Sequence, residues 1–193
     1  MDLLEAYRRS LAEFIDRVDQ IEPGQWSDPT PCSDWDVRTL VNHVVTEDRW
    51  SVPLLAGRTI DEVGDRLDGD QLGADPIATA REAAAQAEIA ATHPGTIDRT
   101  VHLSGGDTPA SEYLQQLLAE HLVHGWDVAV AIGAHPQLDP DAVHAAATWF
   151  AGQIDAYQRN NLVHTGVRVP DGADEQDHLL AAFGRDPNWA PGD

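Results

Sequence analysis

Glu120 and His124 stand four residues apart in the run Glu120-His121-Leu122-Val123-His124-Gly125-Trp126-Asp127, late in a long apolar-periodic segment. On a helix of 3.6 residues per turn, this spacing sets a carboxylate over an imidazole, so the two can grip one divalent ion. Two ligands do not close such a site. The best third is His43, which lies in the other helical segment with a strong start and stop. The helical wheel keeps a rival open, because His121 falls near the centre of the apolar stripe while Glu120 and His124 fall toward its flank. By periodicity alone His121 and His124 compete as an i, i+3 pair. On its own segment His43 sits near the edge of the apolar stripe, with Glu47 one turn further along the same side.

The elements that must carry these groups read as helices. Leu3, Leu4, Tyr7, Leu11, Phe14, Ile15, Val18 and Ile21 keep a three-four spacing that predicts an amphipathic helix over 3–21, stopped by Pro23-Gly24. Residues 25–32 read as an ordered loop whose Trp26 covers the core. Ser33-Asp34-Trp35-Asp36 predicts a helix start, with Ser33 accepting from a backbone N–H and Asp36 reaching back. That second helix runs through Val37, Leu40, Val41, Val44 and Val45 toward Pro53 or Gly57. An acidic stretch over 60–75 crosses the end of the bundle, and Asp75-Pro76 opens an alanine-rich third helix that stops at His93-Pro94-Gly95.

Residues 96–103 alternate apolar and polar side chains before Ser104-Gly105-Gly106-Asp107 turns the chain, which fits a hairpin-like flap or an extended linker. Asp107-Thr108-Pro109 is expected to start the longest helix, closed by Gly133. A fifth begins at Asp141 and reaches Tyr157, and a short helix over 175–183 follows an extended piece at Val167–Pro170. There is no internal repeat and no long linker. The expectation is a single all-α domain over 1–193, four principal helices with short extra helices and minor extended segments.

Composition bounds the function. A net charge of −21, from 33 acidic and 12 basic side chains, repels phosphate backbones and argues against nucleic-acid binding. No apolar run approaches the roughly 18 residues of a membrane span. The lone Cys32 excludes an internal disulfide, and the N-terminus lacks a basic region, so a cytoplasmic location is expected. No nucleophile elbow and no glycine-rich phosphate loop is present. Cys32 has no histidine or basic residue beside it in sequence and reads as a packed thiol.

Three segments together carry a resemblance: Pro31-Cys32-Ser33-Asp34-Trp35-Asp36-Val37-Arg38-Thr39-Leu40-Val41-Asn42-His43, then Glu120 to Asp127, then Gly184-Arg185-Asp186-Pro187 with Trp189. The chain resembles the DinB-like metal-binding family related to the N-terminal domain of mycothiol-dependent maleylpyruvate isomerases. The resemblance implies an actinobacterial four-helix bundle with a divalent metal at one end. It also implies a ligand set of His43, Glu120 and His124 in place of His121. The isomerases carry a further C-terminal domain that contributes to their active site, and the tail of this chain looks too short to supply one.

Two imidazoles and a carboxylate leave a divalent ion with open positions and a net positive charge, which favours deprotonation of a bound water or thiol. The reaction expected is activation of a low-molecular-weight thiol, mycothiol, for S-transfer, conjugation or isomerisation of a small electrophile. The alternative is a non-catalytic bundle that binds metal or a small ligand and has a stress-related role. Zinc suits the donors best, and nickel or iron(II) suits them too. Glu47 and Asp127 are candidates to receive the second ring hydrogens of His43 and His124, and Trp126 and Trp50 are candidate pocket walls. The sequence leaves a homodimer open.

Overall fold

In the computed structural model, residues 1–153, 167–170 and 172–192 are described. Seven α-helices appear among them: α1 (Leu3–Val18), α2 (Val37–Leu55), α3 (Ile60–Val63), α4 (Pro76–Thr92), α5 (Ala110–Ile132), α6 (Pro140–Ala151) and α7 (Glu175–Ala182). One antiparallel hairpin, β1 (Thr100–Leu103) with β2 (Gly106–Pro109), interrupts them. The fold is all-α, a DinB-like bundle with minor extended segments. Ile154 and Tyr157, expected on the fifth helix, and His164 lie outside the described residues.

Four helices form the bundle in a closed ring of contacts, α1 with α5, α5 with α2, α2 with α4, and α4 with α1. Each presents its apolar stripe inward. Phe14 and Val18 of α1, Leu40, Val41 and Val44 of α2, Ala80 and Ala83 of α4 and Val128 of α5 pack into one buried cluster. The small alanines of α4 fill the α2–α4 seam. Outside the ring, α6 packs on α1, α5 and α7, with Leu118, Leu122 and Trp126 of α5 meeting Leu138, Val143, Leu179 and Leu180. This second layer matters to the site because the turn after α7 carries Arg185.

Side-chain caps mark the start of each described α-helix but α5, with two departures from the sequence reading. Asp36, not Ser33, caps α2, its carboxylate accepting from the Thr39 N–H at 2.8 Å. The Val37 N–H donates to the Asp28 carbonyl and the Arg38 N–H to the Trp26 carbonyl, so the loop itself satisfies the first orphan donors and delays the helix to Val37. Asp107-Thr108-Pro109 does not start α5. Thr108 pairs with Val101 and Asp107 with His102 in the hairpin, and α5 begins at Ala110. Buried Val101 anchors that strand, and the cross-strand ladder engages backbone groups that a helix start would leave open.

The alternation over 96–103 is thus realised as a flap-like hairpin after a 3-10 turn at Thr96–Asp98. Asp75 and Pro76 open α4 as expected, with the Asp75 carboxylate on the Ala78 N–H at 3.1 Å. Within the acidic stretch after α2, Thr59 and Glu62 build a full capping box for the short α3, an element the sequence reading did not separate. At the end of α5, Gly133 takes a left-handed φ of 71°, a conformation that costs any residue with a Cβ.

Candidate metal centre

The α2–α5 contact sets His43, in the middle of α2, across from the late turns of α5. His43 Nε2 lies 3.3 Å from Glu120 Oε2, and His124 Nε2 lies 3.0 Å from the same oxygen. Donor atoms of all three residues fall within 4.8 Å of one another. Three donors held about 2.0–2.2 Å from one ion sit about 3–3.5 Å apart, a range that the two Glu120 separations share with direct hydrogen bonds. The two imidazoles meet edge to face, with ring centroids 5.2 Å apart and planes at 77°. Their positions differ in access: the His124 side chain is 7 % exposed, whereas His43 and Glu120 are 31 % and 38 % exposed. One flank of the cluster therefore faces solvent.

Behind His124 the cluster is closed. His124 Nδ1 lies 2.9 Å from Asp127 Oδ2, and because an ionised carboxylate only accepts, the Nδ1 hydrogen is committed to Asp127 and Nε2 is turned toward Glu120. Asp127 is fully buried and is tied by Arg185, whose Nη2 and Nε donate to its carboxylate at 2.8 and 3.2 Å. The same Arg185 Nη2 approaches Cys32 Sγ at 2.9 Å. Cys32, His124 and Asp127 form a second group with donor atoms within 4.8 Å of one another.

The protonation pattern follows. Burial opposes ionisation of Glu120, yet hydrogen bonds from His124 and His43 outweigh it and hold the carboxyl below its usual range. Burial likewise opposes the charge on His124, but contacts with Asp127, Cys32 and Glu120 hold its proton above the usual imidazole range. Burial also works against an ionised Asp127, and His124 and Arg185 overcome it. Beside them, burial raises Glu47, with His43 working the other way.

Of the residues singled out in the sequence, the structure brings together His43, Glu120, His124 and Asp127. It does not bring in His121, which is 1 % exposed and points into the bundle, its Nε2 2.9 Å from Asp48 Oδ1 and its ring against Tyr7 and Phe14. This matches its place at the centre of the apolar stripe and sets its ring apart from the His43, Glu120 and His124 group. Glu47 lies near the cluster but makes no hydrogen bond to His43 among the described residues. Trp126 packs in the α5–α6–α7 layer with Leu122 and Leu138, and Trp50 packs, partly buried, beside the cluster containing Tyr7 and Leu114.

The aromatic at the site is Trp35, whose ring lies 4.9 Å from His43 and 6.0 Å from His124 between centroids. Sequence reasoning missed three participants: Trp35, Arg185 and Cys32 as a neighbour of charge. Each lay inside a quoted motif, which was the available signal, but only folding brings residues 32, 127 and 185 together. Cys32 does pack against the apolar cluster of the bundle, but a guanidinium 153 positions away supplies the basic neighbour absent from the local sequence.

The sequence profile of the mycothiol maleylpyruvate isomerase N-terminal domain matches residues 7–129, which include Cys32, Trp35, His43, Glu120, His124 and Asp127. The chain belongs to that family. A protein of Mycobacterium tuberculosis, described only as uncharacterised and found in strains CDC 1551 / Oshkosh and ATCC 25618 / H37Rv, is 30 % identical over 145 residues. The match spans 73 % of this chain and 73 % of the relative. No solved structure gives a significant match. The match to this mycothiol-related family ends within the last turn of α5, and Arg185 lies beyond it.

Proposed function

We propose that this family member binds a divalent metal through His43, Glu120 and His124 and activates a low-molecular-weight thiol, of the mycothiol class, for attack on a small electrophile. The observation that carries the reading is the convergence of one carboxylate oxygen and two imidazole nitrogens at 3.0 and 3.3 Å, with one flank open. The donor set fits the ion: two neutral nitrogens and one carboxylate oxygen suit zinc first, and nickel or iron(II) next. When bound, the ion would supply Lewis acidity that lowers the pKa of a coordinated thiol from about 8.5.

The remaining work belongs to the chain. Asp127 keeps the Nδ1 hydrogen of His124 and so presents Nε2 to the centre. Arg185 balances the buried Asp127 charge. Trp35 covers the imidazoles and restricts water on that side. The exposed edges of His43 and Glu120 leave the approach for a thiol and its electrophile.

The test combines metal analysis of the freshly purified protein with thiol consumption when mycothiol and an electrophile are supplied. Stoichiometric metal, its loss in His43→Ala, and turnover abolished by chelation are expected. Full activity after chelation would overturn the reading. Bound metal with no turnover of any electrophile would leave a non-catalytic metal-binding bundle.

A further inference from the structure

A cleft of about 420 Å³ opens between α2, α3 and α4, lined by Arg49, Arg58 and Arg66 over Val52, Val63 and Leu67. It is separate from the metal centre, whose donors come from α2 and α5, because Arg49 lies six residues past His43 and so about 120° around the helix from it. None of the three guanidiniums forms an ion pair with a carboxylate among the described residues, which is also true of Arg99, a donor to the Leu55 carbonyl. Acidic side chains outnumber basic ones 33 to 12, and Arg8, Arg9, Arg17, Arg38, Arg81 and Arg185 all pair with carboxylates.

The Arg49 guanidinium bonds only to the Gln71 amide oxygen and that of Arg66 only to the Val63 and Glu62 carbonyls, while the Arg58 guanidinium makes no hydrogen bond or ion pair among the described residues. Two acids lie close: Glu62 accepts from the Thr59 N–H at 2.8 Å and feels the Arg58 charge through space, and Glu82, on the rim, accepts from Gln86 at 3.1 Å; neither forms an ion pair with the three arginines among the described residues. In a protein with carboxylates to spare, three unpaired guanidiniums around one cleft leave a site for an anion from outside.

Beside it lies a second cleft of about 410 Å³ that shares Val52 and Gln86 with it and is walled by Leu55, Ala56, Ile89 and Ala90, with Arg99 also in its lining. Ile89 is 69 % exposed and, with Met1, is one of two exposed large hydrophobic residues among those described. A charged head on the arginines and an apolar body reaching Ile89 would use both halves. We infer that the α2–α4 face binds an organic anion, a carboxylate or phosphate monoester carrying a hydrocarbon body, with Arg49, Arg58 and Arg66 holding the head group and Val52 and Ile89 the body.

The experiment is a calorimetric titration of the full chain with octanoate and with octyl phosphate, using 1-octanol as the uncharged control. At least one anion is expected to bind one-to-one, and comparing the two identifies the head group. Binding should weaken about tenfold in Arg58→Gln and in Arg49→Gln, and 1-octanol should bind at least that much more weakly than the preferred anion. Arg58 holds no other group in place, so Arg58→Gln tests the site without disturbing the fold; far-UV circular dichroism monitors Arg49→Gln. In His43→Ala the affinity should be unchanged, which separates this cleft from the metal centre. Absence of millimolar binding by both anions, equal binding of 1-octanol, unchanged affinity in both arginine variants, or loss of binding in His43→Ala would each overturn the assignment.

Discussion

Asp127 joins the imidazole of His124 on one side to the guanidinium of Arg185 on the other, from a position with no exposed surface. Asp127→Asn should remove the negative charge behind the His124 ring, leaving only a neutral amide oxygen to direct it, and weaken metal affinity roughly 10–100-fold, measured by chelator competition. Arg185→Ala should do more damage to stability, since it leaves a buried carboxylate with one partner fewer. A loss of about 3 kcal/mol is expected in denaturant unfolding. The pH dependence of metal uptake has a definite sign. His124 holds its proton above the usual imidazole range when no ion competes, whereas a metal ligand must be neutral. Uptake near neutral pH should therefore release a proton, and affinity should fall as pH is lowered and rise as pH is raised toward the His124 pKa. A pH-independent affinity between about 6 and 8 would contradict ligation by this ring.

At the scale of elements, the site depends on where α2 begins and how it faces α5. Asp36 caps α2 seven residues before His43. Asp36→Ala should cost about 1 kcal/mol, seen as a lowered unfolding midpoint with metal stoichiometry retained. Helix α5 carries two polar faces with different fates. Glu120 and His124 face the partly open cluster, while His121, one residue on from Glu120 and thus about 100° around the helix, enters the closed interior against Asp48. His121→Ala should leave Asp48 buried without its imidazole partner and cost about 3 kcal/mol or more, yet preserve bound metal. Loss of metal in a folded His121→Ala protein would restore that residue as a ligand.

Taken whole, the bundle of α1, α2, α4 and α5 is joined to its C-terminal layer by apolar packing and by polar ties. Leu118, Leu122 and Trp126 meet Leu138, Leu179 and Leu180, and Arg185 reaches from beyond α7 to Asp127. We propose on this basis that the chain unfolds as one domain. A single calorimetric transition is expected, with Leu180→Ala lowering the whole of it by about 2–5 kcal/mol; two separate transitions would divide the chain. No helix among the described residues is long and apolar enough to cross a membrane.

Periodicity, caps and spacing in the sequence were enough to establish a helical bundle, most of its helix boundaries, and the pairing of Glu120 with His124, because these are consequences of interactions within four residues of each other. Asp75-Pro76 and Gly133 were readable for the same reason: cap chemistry is local. Folding decided what local rules leave degenerate. Asp107 and Thr108 joined a strand because β1 lay beside them, and His121, already placed inward by the apolar stripe, gained its partner in Asp48 of α2. Cys32 acquired a guanidinium and a carboxylate from positions 185 and 127. Electrostatic environment depends on neighbours in space, and these three contacts span 73 to 153 residues of chain, distances over which sequence spacing carries no geometry.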